Sequence, residues 1–201
     1  MEKPNAPATE RNRDAIHEVI AELCSDDQNE FQLFEIGSGT GQHAAYITPQ
    51  IENLTWHVSD LEPNHEGIKA WTDDIDKVLG PYSFKVGEHN ELPVKNVDFV
   101  FSANILHIMH WKLAQQMFKV LSQSLESGSL VLFYGPFNYR GEYTSKGNER
   151  LDQWLKERFK DGKSTIRDFE EVNLNMSKLG FILQEDREMP ANNRMLIFHK
   201  L

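Results

Sequence analysis

The chain has 201 residues, a length that suits one sizeable hydrophobic core and is short for two ordinary domains. Its 31 acidic residues outnumber its 21 basic ones, and this net charge of -10 disfavours a nucleic acid partner, because an acidic surface repels phosphates. Cys24 is the single cysteine, which excludes an internal disulfide, and no apolar run approaches the roughly 18 residues that a membrane span needs. We therefore expect a single-domain, cytoplasmic protein over residues 1–201, without a membrane partner.

The first half of the chain predicts an arm followed by alternating helices and strands. Residues 1–14, rich in proline, asparagine and alanine, are expected to form a loose arm, and the next helix takes Thr9 or Asn12 as its N-cap. A short apolar run, Phe31–Ile36, predicts a buried strand that ends at a glycine-rich loop. Residues 42–47 then begin a helix, which Pro49 ends.

The later elements continue this alternation. The patterns predict strands at 55–59, 83–86, 97–102 and 130–134, and helices at 68–79 and 113–125, the first of these closed by Gly80 and Pro81. Such an alternation predicts a mostly parallel sheet with helices on both faces. After a last helix that begins at Asp168 and reaches Gly180, two strands with a short connection are predicted to pair antiparallel.

The glycine-rich loop is the first candidate ligand site. Gly37, Gly39 and Gly41 follow the first strand, at the end of the sheet where open α/β folds bind their ligands. Glycine allows positive φ and a close approach of a ligand to the backbone. The loop is either a tight turn or a site for a dinucleotide, a nucleotide or S-adenosylmethionine (SAM).

The residues that flank the loop favour SAM. A dinucleotide fingerprint reads G-x-G-x-x-G, but Gln42 and His43 stand where its last glycine is needed. The Lys-Ser/Thr pair of a P-loop is also absent after the glycines. Glu35 precedes the glycines and would repel a pyrophosphate, whereas it would attract the sulfonium and ammonium groups of SAM. Asp60 ends the second predicted strand and suits a bond to ribose hydroxyls, which both cofactor classes contain.

Motifs along nearly the whole chain carry a family resemblance. They are ERNRD (10–14), FEIGSGTGQHAAYI (34–47), WHVSD (56–60), FSANILHI (101–108), YGPF (134–137), IRD (166–168) and MPANN (189–193). With them the chain resembles the class I SAM-dependent methyltransferases, and more narrowly the DUF938 (UPF0585, methyltransferase-like protein 26) family. The resemblance implies a Rossmann-like three-layer α/β sandwich whose seven-stranded sheet has its last strand antiparallel.

The resemblance also implies a set of cofactor contacts. They are expected at Glu35, Gly37, Ser38, Gly39, Thr40, Gly41, His43, Asp60, Leu61 and Asn104. Related sequences tend to read LDV near the third strand, where the acid would meet the adenine amino group. This chain reads FKVGEHN there, so either Glu88 or a backbone carbonyl would take that place.

The acceptor side is expected to follow the fourth and fifth strands. His107 is either a general base or a histidine that packs in a loop, and methyl transfer by displacement needs alignment more than a base. Trp111, Tyr134 and Asn138 would lie near the acceptor. Arg140 stands in a polar insertion that resembles a lid, and it would either pair with an anionic acceptor or face solvent.

The other candidates each have a structural alternative. Asn12 and Arg13 in the arm would cover the cofactor or lie on a solvated face, and Asn192 and Asn193 would form a turn or bind the acceptor. The eight histidines show no metal-binding spacing, so we expect no metal.

The sequence therefore predicts SAM-dependent methyl transfer to a small molecule, with S-adenosylhomocysteine as the product and His107 as the candidate catalytic residue. One alternative is a non-catalytic regulatory protein that binds SAM or S-adenosylhomocysteine. A less favoured alternative is an NAD(P)-binding oxidoreductase, and a peptide acceptor is compatible with the motifs. The motifs assign neither an acceptor atom nor an oligomeric state.

Overall fold

The computed structural model of the protein describes residues 3–159 and 163–201. Seven strands of this part of the chain form one sheet: β1 (Phe31–Ile36), β2 (Leu54–Asp60), β3 (Val78–Ser83), β4 (Phe99–Ala103), β5 (Leu130–Gly135), β8 (Phe181–Met189) and β9 (Asn193–Lys200). Their order is β3-β2-β1-β4-β5-β9-β8. β1 pairs in parallel with β2 and β4, and β9 runs antiparallel to β5 and β8. The predicted mostly parallel sheet with a reversed last strand is confirmed.

Helices flank this sheet. In chain order they are α1 (Pro7–Leu23), α2 (Gln42–Ile47), α3 (His65–Thr72), α4 (Trp111–Ser124), α5 (Lys146–Arg158) and α6 (Phe169–Ser177). A separate pair of two-residue strands, β6 (Phe137–Asn138) and β7 (Arg167–Asp168), runs parallel. Within the described ranges, none of the helices combines the length and the apolar character that crossing a membrane requires.

The N-terminal arm is largely helical, contrary to the prediction. α1 begins at Pro7, a residue that favours the first turn of a helix, and Thr9 and Asn12 lie inside it rather than at its N-cap, which is Ala6. Both polar side chains are buried on the same face as Ile16 and the apolar residues that follow it. Because this face begins with polar residues, the apolar period alone places the start of the helix too late.

The third strand also differs from the prediction. α3 ends at Thr72, and Val78 belongs to β3, which also contains Gly80 and Pro81, so the strand predicted at 83–86 is wrong. Proline is tolerated here because β3 lies at the edge of the sheet. Gly80 has a φ of 115°, and a Cβ atom there would lie 2.6 Å from the carbonyl oxygen of Val58, so the strand requires glycine.

The described residues fall into two compact units. The first comprises those of Met1–Lys85 with Pro93–Phe101, and the second comprises Val86–Leu92 and the described part of Ser102–Leu201. In the first unit Leu33, Phe34 and Trp56 are fully buried. In the second unit Phe133 packs between Phe118 and Phe198, with ring centroids 5.6 and 6.2 Å away. Each unit thus has its own aromatic core, and the single domain of the sequence prediction stays a prediction.

A buried carboxylate holds α5 in the second unit. The Asp152 side chain is 1% exposed and accepts hydrogen bonds from Thr165 Oγ1 (2.5 Å), the Ile166 amide (2.7 Å), the Tyr143 hydroxyl (2.7 Å) and Lys156 Nζ (2.6 Å). Burial raises the pKa of Asp152, but these hydrogen bonds outweigh that effect and lower it from 3.8 to about 2. α5 is therefore fixed by a polar contact, which an apolar pattern does not predict.

We expect Asp152→Asn to lower the free energy of unfolding by roughly 1–3 kcal/mol near neutral pH, because the buried hydrogen bonds to a charged group are lost. The stabilisation by the charged form is present above the ordinary pKa of 3.8 and is lost as the pH falls through about 2. Urea unfolding at a series of pH values should therefore show that the difference in the free energy of unfolding between wild type and variant decreases below pH 3.8. The exposed Asp27→Asn is the control, and a difference that does not change with pH would contradict this role for the charge.

Candidate functional site

The glycine loop after β1 has the backbone that the sequence predicts. Gly37, Gly39 and Gly41 have φ values of 74°, 58° and 81°, all in the left-handed region that glycine favours. A Cβ atom on Gly39 would have no atom within 4 Å, whereas one on Gly41 would lie 3.2 Å from the Cα of Ile68 in α3. Gly41 is therefore needed for packing as well as for conformation, and Gly39 leaves open space beside the loop.

The amides of the loop point into the protein. The Gly37 and Ser38 amides donate to the carbonyl oxygen of Ser59 at 3.1 and 2.9 Å, and the Ser59 amide donates back to Ser38 Oγ at 3.1 Å. The Gly39 amide donates to Asp60 Oδ2 at 2.7 Å. These three amides are used internally, so the loop is not a nest of N–H groups that would bind a phosphate.

Asp60 lies beside the glycine loop, as the sequence predicts. Besides the bond from Gly39, its Oδ1 accepts hydrogen bonds from the Leu61 amide (2.7 Å) and from Asn64 Nδ2 (2.8 Å). Leu61 is 46% exposed, so it offers an apolar surface next to the carboxylate. The end of β2 thus combines a carboxylate and an exposed aliphatic side chain at the edge of the loop.

Glu35 is a buried carboxylate behind the loop. It is 1% exposed, Trp56 Nε1 donates to its Oε2 at 3.0 Å, and His43 Nδ1 lies 3.6 Å from its Oε1. In the described part of the chain, no lysine or arginine forms an ion pair with it. Burial of a charged carboxylate is costly unless opposite charge compensates it, and here the protein supplies that compensation only in part.

The N-terminal segment contacts this loop. The Ala6 amide donates to Gln42 Oε1 at 2.6 Å, and the hydroxyl of Thr40 donates to the same oxygen at 2.8 Å. Asn12 Oδ1 lies 2.9 Å from His43 Nε2, whereas Arg13 stacks on Tyr46 with its guanidinium 4.1 Å from the ring centre. Asn12 therefore joins the residues around Glu35, and Arg13 packs on α2 instead.

In the second unit, the ends of β4 and β5 bring Asn104, His107 and Tyr134 together. The Asn104 amide donates to the carbonyl oxygen of Tyr134 at 2.8 Å, and Asn104 has a φ of 60°. A Cβ atom on Gly135 would lie 3.6 Å from Asn104 Oδ1 and 3.8 Å from His107 Nδ1. The Tyr134 hydroxyl accepts a hydrogen bond from Asn193 Nδ2 at 3.1 Å, so Asn193 belongs to this group as well.

The environment of His107 makes it a weak base. Its side chain is 7% exposed, and burial, with the nearby charge of Arg167, lowers its pKa from 6.5 to about 4, although Asp152 acts in the opposite direction. A base with this pKa is neutral at neutral pH and accepts a proton poorly. The role of His107 as a general base stays a prediction.

Arg167 holds the segment that carries His107, a role that the sequence analysis missed. Its guanidinium donates to the carbonyl oxygens of Leu106, Met109 and Lys163, and it lies 5.6 Å from the ring centre of Trp111. In the sequence, Arg167 marks only the approach to a helix start, because no local pattern indicates contacts with a segment so distant in the chain. Trp56 was missed as a partner of Glu35 for the same reason.

The remaining candidates lie in turns. Glu88 is in an exposed turn of the second unit, five positions after the end of β3 at Ser83. Arg140 is exposed in a tight turn with a φ of 55°. In the insertion that was expected to form a lid, residues 138–148, β6 ends at Asn138 and α5 begins at Lys146. Asn192 has a φ of 58° and forms the turn between β8 and β9, in line with the structural alternative.

Two further features of the described residues are a buried oxygen of Asn138 and a cleft near Cys24. Asn138 is 9% exposed, and its Oδ1 has no hydrogen-bond partner in the part of the chain that the structure describes. The first unit also has an open cleft of about 530 Å³ around Cys24 and Asn53, at the opposite end of β2 from Asp60. Burial raises the pKa of Cys24 to about 12, so this thiol is not a nucleophile.

A model of the DUF938 family, described as a protein of unknown function, matches residues 3–200. The chain belongs to the DUF938 family. This description assigns no activity, and the narrower resemblance to UPF0585 and methyltransferase-like protein 26 stays a prediction.

Similar solved structures share the fold of this DUF938 member. The mitomycin 7-O-methyltransferase MmcR has a TM-score of 0.75 at 13% identity, over 92% of this chain and 54% of that one. The pyocyanin biosynthetic protein PhzM has a TM-score of 0.74 at 16% identity, over 92% and 54%. LepI in complex with SAM has a TM-score of 0.72 at 18% identity, over 92% and 46%. The chain spans about half the length of these proteins, and identities this low show the fold alone.

We expect Gly41→Ala to destabilise the protein by roughly 1–3 kcal/mol, because it forces a left-handed φ and places a methyl group against the backbone of α3. Gly39→Ala is the matched control: it has a similar φ but open space, so only the backbone cost of about 1 kcal/mol applies. Urea unfolding measures both, and equal losses would mean that the contact with Ile68 relaxes freely.

In a titration measured by NMR, we expect the imidazole of His107 to have a midpoint near its lowered pKa of about 4. Arg167→Met should raise this midpoint because a positive charge is removed. Arg158→Met on the exposed end of α5 is the control and should leave it unchanged. A midpoint near 6.5 in the wild type would contradict the buried environment that the structure assigns to the ring.

Proposed function

We propose that this protein transfers a methyl group from SAM to a small-molecule acceptor. The observation that carries the proposal is the buried Glu35 carboxylate, which has no lysine or arginine partner among the described residues and stands behind three glycines with positive φ. A ligand that brings its own positive charge would compensate this carboxylate. SAM carries a sulfonium and an ammonium group, and its ribose hydroxyls match a carboxylate at the end of the second strand.

The residues of the first unit fit SAM in chemical type. Gly39 would allow a close approach to the loop, Asp60 would accept bonds from the ribose hydroxyls, and the exposed Leu61 would pack against the adenosine. Glu35 would act through its charge from behind the loop, and the buried His43 lies beside it. When bound, SAM supplies an electrophilic methyl group on a positively charged sulfur.

In the second unit, Asn104, His107 and Tyr134 would orient the acceptor. His107 is neutral at neutral pH, so its ring offers a hydrogen-bond acceptor without competing for protons. A base with this pKa is poorly matched to deprotonating an alcohol at neutral pH, and this favours an acceptor atom that attacks without prior deprotonation. Alignment of the acceptor would then be the main contribution of these residues.

The similar structures support this proposal without deciding it. They include a mitomycin 7-O-methyltransferase, a SAM-dependent methyltransferase and LepI in complex with SAM, which makes SAM a reasonable ligand for this fold. Another is described as a pericyclic reaction enzyme, so the fold alone does not imply methyl transfer. An NAD(P)-binding oxidoreductase is disfavoured, because the loop amides are used internally and Glu35 would repel a pyrophosphate.

A non-catalytic SAM-binding protein is the second candidate, and a weakly basic His107 is compatible with both. The two candidates differ in turnover. Incubation of the protein with SAM and an extract of small metabolites should yield S-adenosylhomocysteine if the protein is a methyltransferase. Binding of SAM without turnover across such extracts would favour the regulatory alternative.

We expect calorimetry to detect binding of SAM and S-adenosylhomocysteine but not of NADH. Asp60→Ala should weaken SAM binding by roughly 10- to 150-fold, which corresponds to the loss of hydrogen bonds to a charged group, about 1.5–3 kcal/mol. The exposed Asp74→Ala is the matched control and should bind SAM like the wild type.

Absence of SAM binding by the wild type would overturn the proposed function. If the wild type binds SAM and Asp60→Ala binds it equally well, the ribose contact is not Asp60. A loss of affinity in Glu62→Ala would then identify Glu62 as the ribose acid.

A further inference from the structure

The buried face of α1 contains a polar residue that packing does not require. Asn12 is 5% exposed and precedes Ile16, Val19 and Ile20 along the same buried face. An apolar side chain at this place would pack without the cost of burying an amide. A buried polar group in an apolar face is therefore more easily explained by a specific contact than by stability.

That contact is with His43, which bridges α1 and Glu35. His43 Nε2 lies 2.9 Å from Asn12 Oδ1, and His43 Nδ1 lies 3.6 Å from Glu35 Oε1. The ring is 7% exposed and meets Phe101 edge to face, with centroids 5.7 Å apart. Both ring nitrogens thus face a polar partner, and the orientation of the ring is fixed from α1.

The other oxygen of Glu35 is fixed from β2. Trp56 Nε1 donates to Oε2 at 3.0 Å, and Trp56 meets the same Phe101 ring at 5.8 Å. Trp56 thus holds one oxygen of the carboxylate by a hydrogen bond, and the His43 ring lies beside the other. His43 is itself held by Asn12, a residue of α1 that lies outside both the sheet and the loop helix.

We propose that Asn12 and His43 are positioning residues of the cofactor site, in which Asn12 orients His43 and His43 orients the Glu35 carboxylate behind the glycine loop. The proposal rests on the proposed function, because it assigns the contact a role in binding SAM. It makes α1 part of the cofactor site through a chain of three buried side chains. A change at Asn12 should therefore alter SAM affinity only while Glu35 carries a carboxylate.

A double-mutant cycle on SAM affinity tests this dependence. Asn12→Leu keeps a side chain of similar size on the buried face of α1, and we expect it to weaken SAM binding about five- to tenfold in the wild-type background. In the Glu35→Gln background the same change should alter the affinity less than about twofold, because the carboxylate that Asn12 orients is no longer there. Calorimetry with SAM gives all four affinities.

Thr9→Val is the matched control, because Thr9 lies on the same buried face of α1 and is 8% exposed. It should leave SAM affinity unchanged in both backgrounds. His43→Phe, which retains a ring against Phe101, should reproduce the result of Asn12→Leu and serves as a second route if that variant folds poorly.

Three outcomes would overturn the proposal, and they differ from one another. Equal losses from Asn12→Leu in both backgrounds would mean that α1 supports the fold without acting through Glu35. No loss in either background would mean that the contact has no part in binding. Absence of SAM binding by the wild type would overturn the proposed function together with this inference.

Discussion

The buried charge of Glu35 is the constraint on which the candidate cofactor site depends. A carboxylate removed from water needs hydrogen bonds and opposite charge to compensate the loss of hydration. Trp56 supplies one N–H donor, and His43 stands at the other oxygen without a lysine or arginine to assist it. The first unit therefore holds a negative charge that its described side chains compensate only in part, and a cationic ligand would complete the compensation.

The backbone amides of the glycine loop are directed differently from those of a phosphate-binding loop. In such loops the amides face outwards to an anion. Here the amides of Gly37 and Ser38 bond to Ser59, and that of Gly39 bonds to Asp60. The positive φ values allow the loop to fold against β2, and Gly39 leaves open space because it has no side chain. The loop therefore offers space and a nearby carboxylate rather than N–H donors. This combination suits a sulfonium better than a pyrophosphate.

The sequence predicts those features that local chemistry determines. The bounds of β1 and the start of α2 are right because an apolar run stops at glycines. Glu35 lies in β1 and Asp60 ends β2, as expected, and their roles in binding stay predictions. The third strand is misplaced because Gly80 and Pro81 lie inside β3 rather than after a helix. The other failures have buried polar surfaces in common: α5 buries Asn148 and Asp152, and the start of α1 buries Thr9 and Asn12. Apolar periodicity does not detect such faces. Contacts such as Trp56 with Glu35 depend on strand register and tertiary packing, which one sequence does not reveal.

In the second unit, burial acts on the histidine of the candidate site, His107, whose pKa it lowers. Arg167 donates hydrogen bonds to three backbone carbonyls and so fixes the segment of His107, while burial, with the nearby Arg167 charge, lowers the pKa of the ring. A fold that methyltransferases share with a pericyclic reaction enzyme does not itself select a reaction. The selection has to come from groups such as these. In the proposed methyl transfer, an imidazole with a lowered pKa would contribute chiefly by aligning the acceptor, and the sulfonium charge would supply the reactivity of the methyl group.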